Sequence, residues 1–293
     1  MRKKLVKQGH STLTLTIPSK WVRENKLKPG DELELETNKN CLFLSTTSIP
    51  EEEAINLDLT NLGKTSVNWL LAATYKKGFD VVNVKYRDNI QLREISERIK
   101  SCLKNYEIVE HTKSSVVIKS ISNHQEENFN ILLRRIFLVN LSFFESVLEA
   151  LESGKSKSLL DATHLEETND SLVNACQRII VKNRNLLDKE RHFLYVIIWQ
   201  LEKIADSLKH FCQEISKQKK IEKNFSDKFK QVKELYENFY SLYYKFDSQK
   251  LNDLIETKKD LLTTFEDEND FYFRLMIEQI LDLSGSFFAL NIN

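Results

Sequence analysis

Glycine and proline are scarce in this chain, which has only 6 Gly and 3 Pro among 293 residues. Because these residues interrupt helices and form turns, their scarcity predicts long uninterrupted helices and few loops. Long apolar runs are also lacking, and none approaches the roughly 20 residues that a membrane-spanning helix needs. The basic N-terminus is followed by no apolar stretch of the kind found in signal peptides. We therefore expect a soluble, cytoplasmic protein without membrane insertion.

Paired cysteines are missing as well. The four cysteines lie far apart and include no C-x-x-C motif; they are Cys41, Cys102, Cys176 and Cys212. This pattern is typical of reduced thiols in an intracellular protein, and it favours neither a disulfide framework nor a zinc site.

A net charge is lacking too, because 43 Lys and Arg balance 43 Asp and Glu. The total charge therefore gives no indication of a nucleic-acid partner. Its distribution is more informative, since the first thirty residues contain one acidic residue, Glu24, and eight basic ones. The basic residues are Arg2, Lys3, Lys4, Lys7, Lys20, Arg23, Lys26 and Lys28.

Residues 1–48 have the pattern of short β-strands. KKLVKQ and STLTLTIP predict two strands, and in the second the apolar residues face one side while the threonines face the other. Pro18 suits the first turn of a short helix, SKWVRENK. After the turn KPGD, the stretches ELELE and CLFLS predict a hairpin in which Leu33 and Leu35 point inward.

Residues 55–123 alternate between helix and strand patterns. VNWLLAATYKKG predicts a helix that ends at Gly78, and DVVNVKY predicts a buried strand. QLREISERIKSCLKN has apolar residues at steps of three and four, as in an amphipathic helix. YEIVEHT and SVVIKSI predict two strands that pair antiparallel. Together these elements predict a small α/β domain.

Residues 126–293 have helical patterns throughout. Between Phe129 and Ala150 the apolar residues recur at the spacing of a bundle helix. Five further helices are predicted near residues 156–183, 188–217, 225–246, 248–265 and 268–290. Six helices suggest two three-helix repeats. The fold class predicted for the whole chain is therefore multidomain α+β.

The third and sixth of these helices contain the same carboxylate spacing at matching places. VIIWQLEKIADSLKHF contains Glu202 and Asp206, and FRLMIEQILDLSGSF contains Glu278 and Asp282. Residues four apart share one helix face, so each pair directs two carboxylates the same way. Clustered carboxylates suit magnesium, manganese or iron. One such pair is usually a solvated helix face, whereas two at equivalent positions favour a metal site.

Three other side chains are weaker metal-site candidates. His210 lies one turn after Asp206, although a single helical histidine is more often a surface or capping residue. Glu167 and Asp170 lie on the second predicted helix, which needs a polar side in any case.

The N-terminal pattern resembles the SpoVT/AbrB swapped-hairpin domain, in the form found at the head of archaeal PhoU-like phosphate uptake regulators. The similar features are the G-x-S loop, the alternating strand ending in Ile-Pro, the Trp-Val helix and the Lys-Pro-Gly-Asp turn. LLRRIFLVNLSFFESVLEAL and the two carboxylate pairs resemble the helical repeat of the PhoU family. The two resemblances together span nearly the whole chain.

The resemblance implies a SpoVT/AbrB-like DNA-binding and dimerisation domain at 1–48, a small α/β domain at 55–123 and a PhoU-like six-helix bundle at 126–293. In the first, hairpins of two chains would interlock into one β-barrel and form a homodimer. The residues to which it assigns DNA binding are Arg2, Lys4, Lys7, Ser11 and Lys20. For the bundle, the resemblance implies a site for divalent metal ions or a multinuclear metal cluster, with iron, zinc, magnesium or manganese as the metal. The implied ligands are Glu202, Asp206, Glu278 and Asp282.

Two functional hypotheses follow. In the first, the chain is a phosphate-responsive transcriptional regulator that binds DNA as a dimer and senses a metal, phosphate status or a partner through the bundle. In the second, the bundle docks on a phosphate transporter or signalling partner, and the N-terminal domain serves only dimerisation. An antitoxin is disfavoured because nearly 250 structured residues follow the head. We expect no enzyme, since the chain lacks a nucleophile elbow and a histidine-rich metal set.

Overall fold

The computed structural model describes residues 2–9, 11–38, 41–46, 52–121, 129–182, 188–218, 224–267 and 270–291. The chain divides into two compact units, Met1–Glu51 and Glu52–Asn293. The predicted domain limits at residues 48, 123 and 126 fall outside the described residues, and the three-domain division stays a prediction.

The first unit begins with two short strands and a helix. β1 (Val6–Gln8) pairs antiparallel with β2 (Thr12–Thr14), and Lys7 lies opposite Leu13. Gly9 has a φ of 80° in the turn between them, a conformation that glycine adopts without a steric penalty. α1 (Ser19–Glu24) starts directly after Pro18, as the pattern predicts.

The second hairpin of this unit is also where the sequence predicts it. β3 (Leu33–Asn38) pairs antiparallel with β4 (Cys41–Thr46). The preceding turn is closed by the Asp31 carboxylate, which accepts a hydrogen bond of 2.7 Å from the Lys28 amide. In the single chain the two hairpins are separate two-stranded sheets, and the swapped barrel stays a prediction.

The second unit begins with a four-stranded sheet and two helices. Its elements are β5 (Ala54–Asp58), α2 (Lys64–Lys77), β6 (Val81–Lys85), α3 (Asn89–Cys102), β7 (Tyr106–His111) and β8 (Ser115–Ser120). The strand order is β5-β6-β8-β7, with β5 parallel to β6 and β8 antiparallel to both of its neighbours. The predicted α/β character and the antiparallel pairing of the last two strands are confirmed.

Two details of this region depend on local chemistry. α2 ends at Gly78, which has a φ of 96° and forms the left-handed cap that the sequence predicts. α3 begins at a side-chain cap, because the Asp88 carboxylate accepts a hydrogen bond from the Gln91 amide at 2.9 Å. The sequence pattern did not indicate β5, a short edge strand in which only Ile55 and Leu57 are half-buried.

The rest of the second unit is helical. Its described helices are α4 (Phe129–Ser153), α5 (Ser156–Ala162), α6 (His164–Lys182), α7 (Asp188–Ile215), α8 (Phe225–Tyr244), α9 (Ser248–Thr264) and α10 (Phe271–Asn291). The predicted second helix is divided into α5 and α6. The Thr163 hydroxyl donates to the Leu160 carbonyl at 2.6 Å, and the His164 ring nitrogen Nδ1 donates to the Asp161 carbonyl at 2.6 Å. Such side-chain bonds compete with continuation of the helix.

The neighbours of the helices follow a matching pattern. α4 packs against α6 and α7, and α8 packs in the same way against α9 and α10. The two sets meet through contacts of α4 with α8 and of α7 with α10. This arrangement is the one that two three-helix repeats would produce, although the interpretation as a repeat stays a prediction.

α6 is the helix that joins the sheet region to the helical region. All nine residues from Leu172 to Ile180 are buried. α6 packs against α4 and α7 on one side and against α2 and α3 on the other. The polar residues Asn174, Gln177 and Arg178 are buried among these contacts.

Arg178 makes the strongest set of polar contacts across this boundary. Its Nη1 donates to the carbonyls of Tyr75 and Phe79, both at 2.8 Å, and its Nη2 pairs with Asp80 at 3.0 Å. The guanidinium also lies 5.0 Å from the ring centre of Tyr75 and 5.3 Å from that of Tyr106. These contacts compensate for the burial of a charge that is inaccessible to solvent.

We predict that Arg178→Ala lowers the free energy of unfolding by about 3 to 5 kcal/mol, because it leaves Asp80 and two carbonyls without their buried partner. Lys182→Ala is the matched control. Lys182 also pairs with Asp80, but its side chain is 38% exposed, so its loss should cost less than about 1 kcal/mol. Urea unfolding followed by circular dichroism measures both; equal losses in the two variants would contradict the role assigned to Arg178.

Candidate functional site

All five residues assigned to DNA binding are exposed on the first unit. Arg2 and Lys4 precede β1, Lys7 lies within it, and Ser11 follows the turn that β1 enters. Lys7 and Ser11 therefore flank the same turn. Lys20 lies on a separate element, α1, where it pairs with Glu24 at 3.7 Å between side chains that are 83% and 60% exposed. A pair this exposed holds the lysine only weakly.

Several apolar side chains of the first unit are also exposed; others, such as Trp21 and Leu44, are half-buried, and no described residue in the unit is buried. Leu13 is 61% exposed and Leu35 is 60% exposed. In the single chain Leu33 is half-buried, whereas Leu35 is exposed, so the prediction that both point inward is not met for Leu35 in a hairpin that forms a separate two-stranded sheet. Sheets of this size are not stable in isolation.

Exposed lysine and arginine side chains on such a unit can form ion pairs with phosphate groups, and these contacts weaken as salt rises. A serine hydroxyl beside a turn can donate to a phosphate oxygen, which positions the protein without reading sequence. The arrangement of these residues is therefore compatible with backbone contacts to a nucleic acid. In the single chain, however, no buried described residue holds these hairpins in place.

The first carboxylate pair of the helical region lies on α7, next to α6. Asp206 accepts a hydrogen bond from Lys203 at 2.6 Å. Burial raises the pKa of Glu202, and the negative charge of Asp170 on α6 raises it further, while Lys76 and Lys203 lower it. Glu202 is thus a carboxylate whose ionised form is disfavoured by its surroundings.

The second pair, on α10, is in a different environment. Glu278 and Asp282 are both exposed, and Glu278 pairs with Lys258 of α9 at 2.6 Å. The helices α7 and α10 pack together, but one pair is half-buried and the other is solvated. The similar spacing in sequence therefore does not produce similar surroundings.

These carboxylates do not form a ligand set for a metal ion as they are placed. Within the described residues, no group of three or more His, Cys, Asp or Glu side chains is arranged to hold one. Asp206 and Glu278 are each paired with a lysine, so a metal ion would have to replace that ion pair to bind either carboxylate. Metal binding by these residues stays a prediction.

Two carboxylates of α6 lie near the first pair: Asp170, a weaker candidate from sequence, is close to Glu202, and Glu166, which the sequence pattern did not single out, is close to Asp206. Asp170 pairs with Arg98 of α3 at 2.8 Å, and Glu166 pairs with Lys209 of α7 at 2.9 Å. Burial raises the pKa of Glu166, and the Lys209 hydrogen bond opposes that shift. A signal was available, because Glu166 and Asp170 have the same four-residue spacing as Glu202 and Asp206. His210 and Glu167 lie outside this cluster of ion pairs.

Comparison with known proteins identifies one part of the chain. Residues 6–44 match the family model described as antidote-toxin recognition MazE, bacterial antitoxin. Neither the search of curated proteins nor the search of solved structures found a match. Among the described helices, none combines the length and the apolar composition needed to cross a membrane.

The match covers β1, β2, α1, β3 and most of β4. It supports the SpoVT/AbrB part of the resemblance, and a MazE/AbrB-type N-terminal domain is compatible with DNA binding or with antitoxin-like regulation. The match ends before the sheet and helical regions. The resemblance of these regions to the PhoU family stays a prediction.

We predict that Glu202→Gln raises the melting temperature at pH 7. The folded state holds the Glu202 proton to a higher pH than the unfolded state, whose ordinary pKa is near 4.5, so ionisation destabilises the fold as the pH rises through this range. The amide cannot ionise and avoids this cost. The gain should disappear as the pH falls below the ordinary value.

Glu278→Gln is the control, since it loses an exposed ion pair with Lys258 and should lower stability by less than about 1 kcal/mol. Thermal melts of both variants at pH 4 to 7 give the comparison, with and without added Mn²⁺. A lower melting temperature of Glu202→Gln at pH 7, together with stabilisation of the wild type by Mn²⁺ that this variant loses, would favour the metal-site interpretation.

Proposed function

We propose that the chain is a transcriptional regulator that binds DNA as a homodimer through its N-terminal unit and receives a signal through its helical region. The observation that supports this most directly is the MazE-type match at residues 6–44, together with the exposed apolar faces of the same hairpins. The proposed homodimer and the proposed DNA contacts both depend on this N-terminal unit.

The exposed hairpins support a dimer. Apolar side chains from β2, β3 and β4 are accessible to solvent in the single chain; they include Leu13, Leu35, Leu42 and Phe43. A segment of about fifty residues has too little core of its own to be stable. Two copies with interlocked hairpins would bury these faces against each other and would form the swapped barrel predicted from sequence.

The charge distribution supports DNA as the partner of that dimer. Arg2, Lys4, Lys7 and Lys20 are exposed, and dimer formation would double their number on one particle. Such contacts supply affinity that depends on salt, while base contacts would determine the choice of operator.

The helical region is proposed to be the sensor, of the PhoU type, and phosphate status, a metal or a partner protein is the proposed cue. The matching packing of α4 with α6 and α7 and of α8 with α9 and α10 supports two repeats. Any cue must bind one conformation of this region better than another in order to change DNA binding.

Partner docking is a second candidate, favoured by an exposed apolar strip on α7. Tyr195, Val196 and Trp199 lie on adjacent turns there, and Trp199 is 45% exposed. In this alternative a phosphate transporter, a signalling protein or, in antitoxin-like regulation, a toxin would contact the helical region. The N-terminal unit would then serve only to form the dimer.

We predict that the full chain shifts DNA from upstream of its own gene in an electrophoretic mobility assay, and that Arg2→Ala/Lys4→Ala/Lys7→Ala abolishes the shift. The wild-type shift should weaken by at least about tenfold in affinity between roughly 50 and 200 mM salt, since several phosphate contacts are involved. Phosphate-transport promoters form a second set of probes.

The matched control is Lys100→Ala/Lys157→Ala/Lys230→Ala, which removes the same charge from exposed positions of the second unit. It should bind DNA like the wild type. If both triple variants lose binding equally, the effect is one of total charge and the N-terminal assignment fails. If the wild-type dimer shifts no probe, partner docking becomes the favoured function.

We also predict that Leu13→Asn/Leu35→Asn gives a monomer whose N-terminal unit is unfolded, because the apolar faces find their partner only in the second chain. Sedimentation equilibrium measures the mass, and limited proteolysis should cut this variant before Glu52 and leave the second unit intact. Ile90→Asn, at an exposed apolar position of α3, is the control and should stay dimeric. A dimer in the double variant would contradict the proposed interface.

A further inference from the structure

A shallow cleft lies in the second unit, where the end of α3, the first half of α6 and the side of α4 meet. Its volume is about 340 Å³, within the range of small-molecule sites. It is lined by Ser101, Lys104, Arg135, His164, Glu167, Thr168, Ser171 and Leu172. Of the candidate side chains identified from sequence, Glu167 alone lies here.

Positive charge dominates this cleft. Lys104 follows α3 and Arg135 lies on α4, so the two cations come from separate elements and converge on the same space. Neither forms an ion pair with another residue in the described part of the chain, and Glu167 forms none either. Two other carboxylates of α6 are already paired elsewhere, Glu166 with Lys209 and Asp170 with Arg98.

The hydroxyl groups of the cleft are hydrogen-bond donors, and Ser101, Thr168 and Ser171 supply them. His164 donates through Nδ1 to the Asp161 carbonyl, so in the neutral ring Nε2 is an acceptor. It can accept a hydrogen bond from a hydroxyl or amine of a ligand, but it does not donate to a phosphate oxygen. A guanidinium, an ammonium and hydroxyl donors around one cleft are the groups that bind a phosphate, because it presents several oxygen acceptors and more than one negative charge.

We infer that this cleft binds a small phosphate-bearing ligand, with Lys104 and Arg135 as the charged contacts. The cleft is larger than a free phosphate ion requires, and Glu167 can accept a hydrogen bond from a hydroxyl or amine on the rest of a phosphate monoester. Inorganic phosphate and a monoester share the recognition chemistry, and a comparison of the two as ligands separates them. A phosphate-bearing ligand bound here would be the signal that the proposed regulator receives. The regulatory role of the site rests on that proposed function, whereas phosphate binding itself does not.

Isothermal titration calorimetry on the full chain at about 150 mM NaCl, where weak surface binding is screened, tests the inference. The probes are inorganic phosphate, glycerol 3-phosphate and acetate. We expect saturable binding of one or both phosphate probes and much weaker binding of acetate. If inorganic phosphate binds more tightly, the ligand is free phosphate; if glycerol 3-phosphate binds more tightly, it is a phosphate monoester.

Three variants, two expected to weaken phosphate binding and one expected to strengthen it, make the test specific. Lys104→Gln and Arg135→Gln should each weaken phosphate binding by about tenfold or more, since each removes a charge-assisted contact. Glu167→Gln should strengthen the binding of inorganic phosphate, because it removes a repulsive charge, an effect that a purely structural role would not produce. Lys100→Gln, an exposed position of α3 outside the cleft, is the matched control and should bind like the wild type.

The inference is overturned if neither phosphate probe binds, if acetate binds as tightly, or if Lys100→Gln weakens binding as much as Lys104→Gln. Because calorimetry uses no DNA, these outcomes are independent of the mobility-shift result. A chain that binds DNA but no phosphate would keep the proposed regulator and lose this ligand, and the reverse result would keep the ligand site alone.

Discussion

The packing of the second unit depends on the hydrogen bonds and the ion pair of one buried charged side chain, Arg178. Arg178 is inaccessible to solvent and lies where α6 meets the end of α2 and the start of β6. The carbonyls of Tyr75 and Phe79 and the carboxylate of Asp80 receive its hydrogen bonds. Since α2 ends at this point, the guanidinium also meets the negative end of a helix dipole. With these partners, the segment of α6 from Leu172 to Ile180 can be buried on all sides and can hold the sheet region against the helical region.

The two units of the chain therefore obtain their stability in different ways. In the second unit a continuous apolar cluster extends through the helices, and another lies between the sheet and its two helices. The first unit has no buried described residue, and in the proposed dimer the second chain would supply the burial that its own chain lacks. Its stability would then depend on protein concentration and on binding, which is compatible with the proposed DNA-binding role of this unit.

The carboxylates of α7 and α10 show what a four-residue spacing in sequence can predict about a site and what it cannot. The four-residue spacing correctly indicates that Glu202 and Asp206 share a face of α7. It does not reveal that Lys203 pairs with Asp206, or that Asp170 approaches Glu202 from another helix. Lysine and arginine partners from α3, α7 and α9 convert the carboxylates of α6, α7 and α10 into ion pairs. Except for Lys203, which lies one helical turn before Asp206, these partners are distant in sequence, which is why pattern alone favoured a metal site.

The sequence by itself determined the elements whose cause is local. Alternation predicted both N-terminal hairpins, Gly78 predicted the end of α2, and apolar spacing predicted the long helices, because each depends on neighbouring residues. The division between α5 and α6 and the edge strand β5 were not predicted, since side-chain bonds at Thr163 and pairing with β6 decide them. Only the tertiary structure placed Arg178 at the end of α2, beside Asp80, and brought Lys104 and Arg135 to one cleft. Contacts between residues so far apart in the chain follow from packing, and no local pattern encodes them.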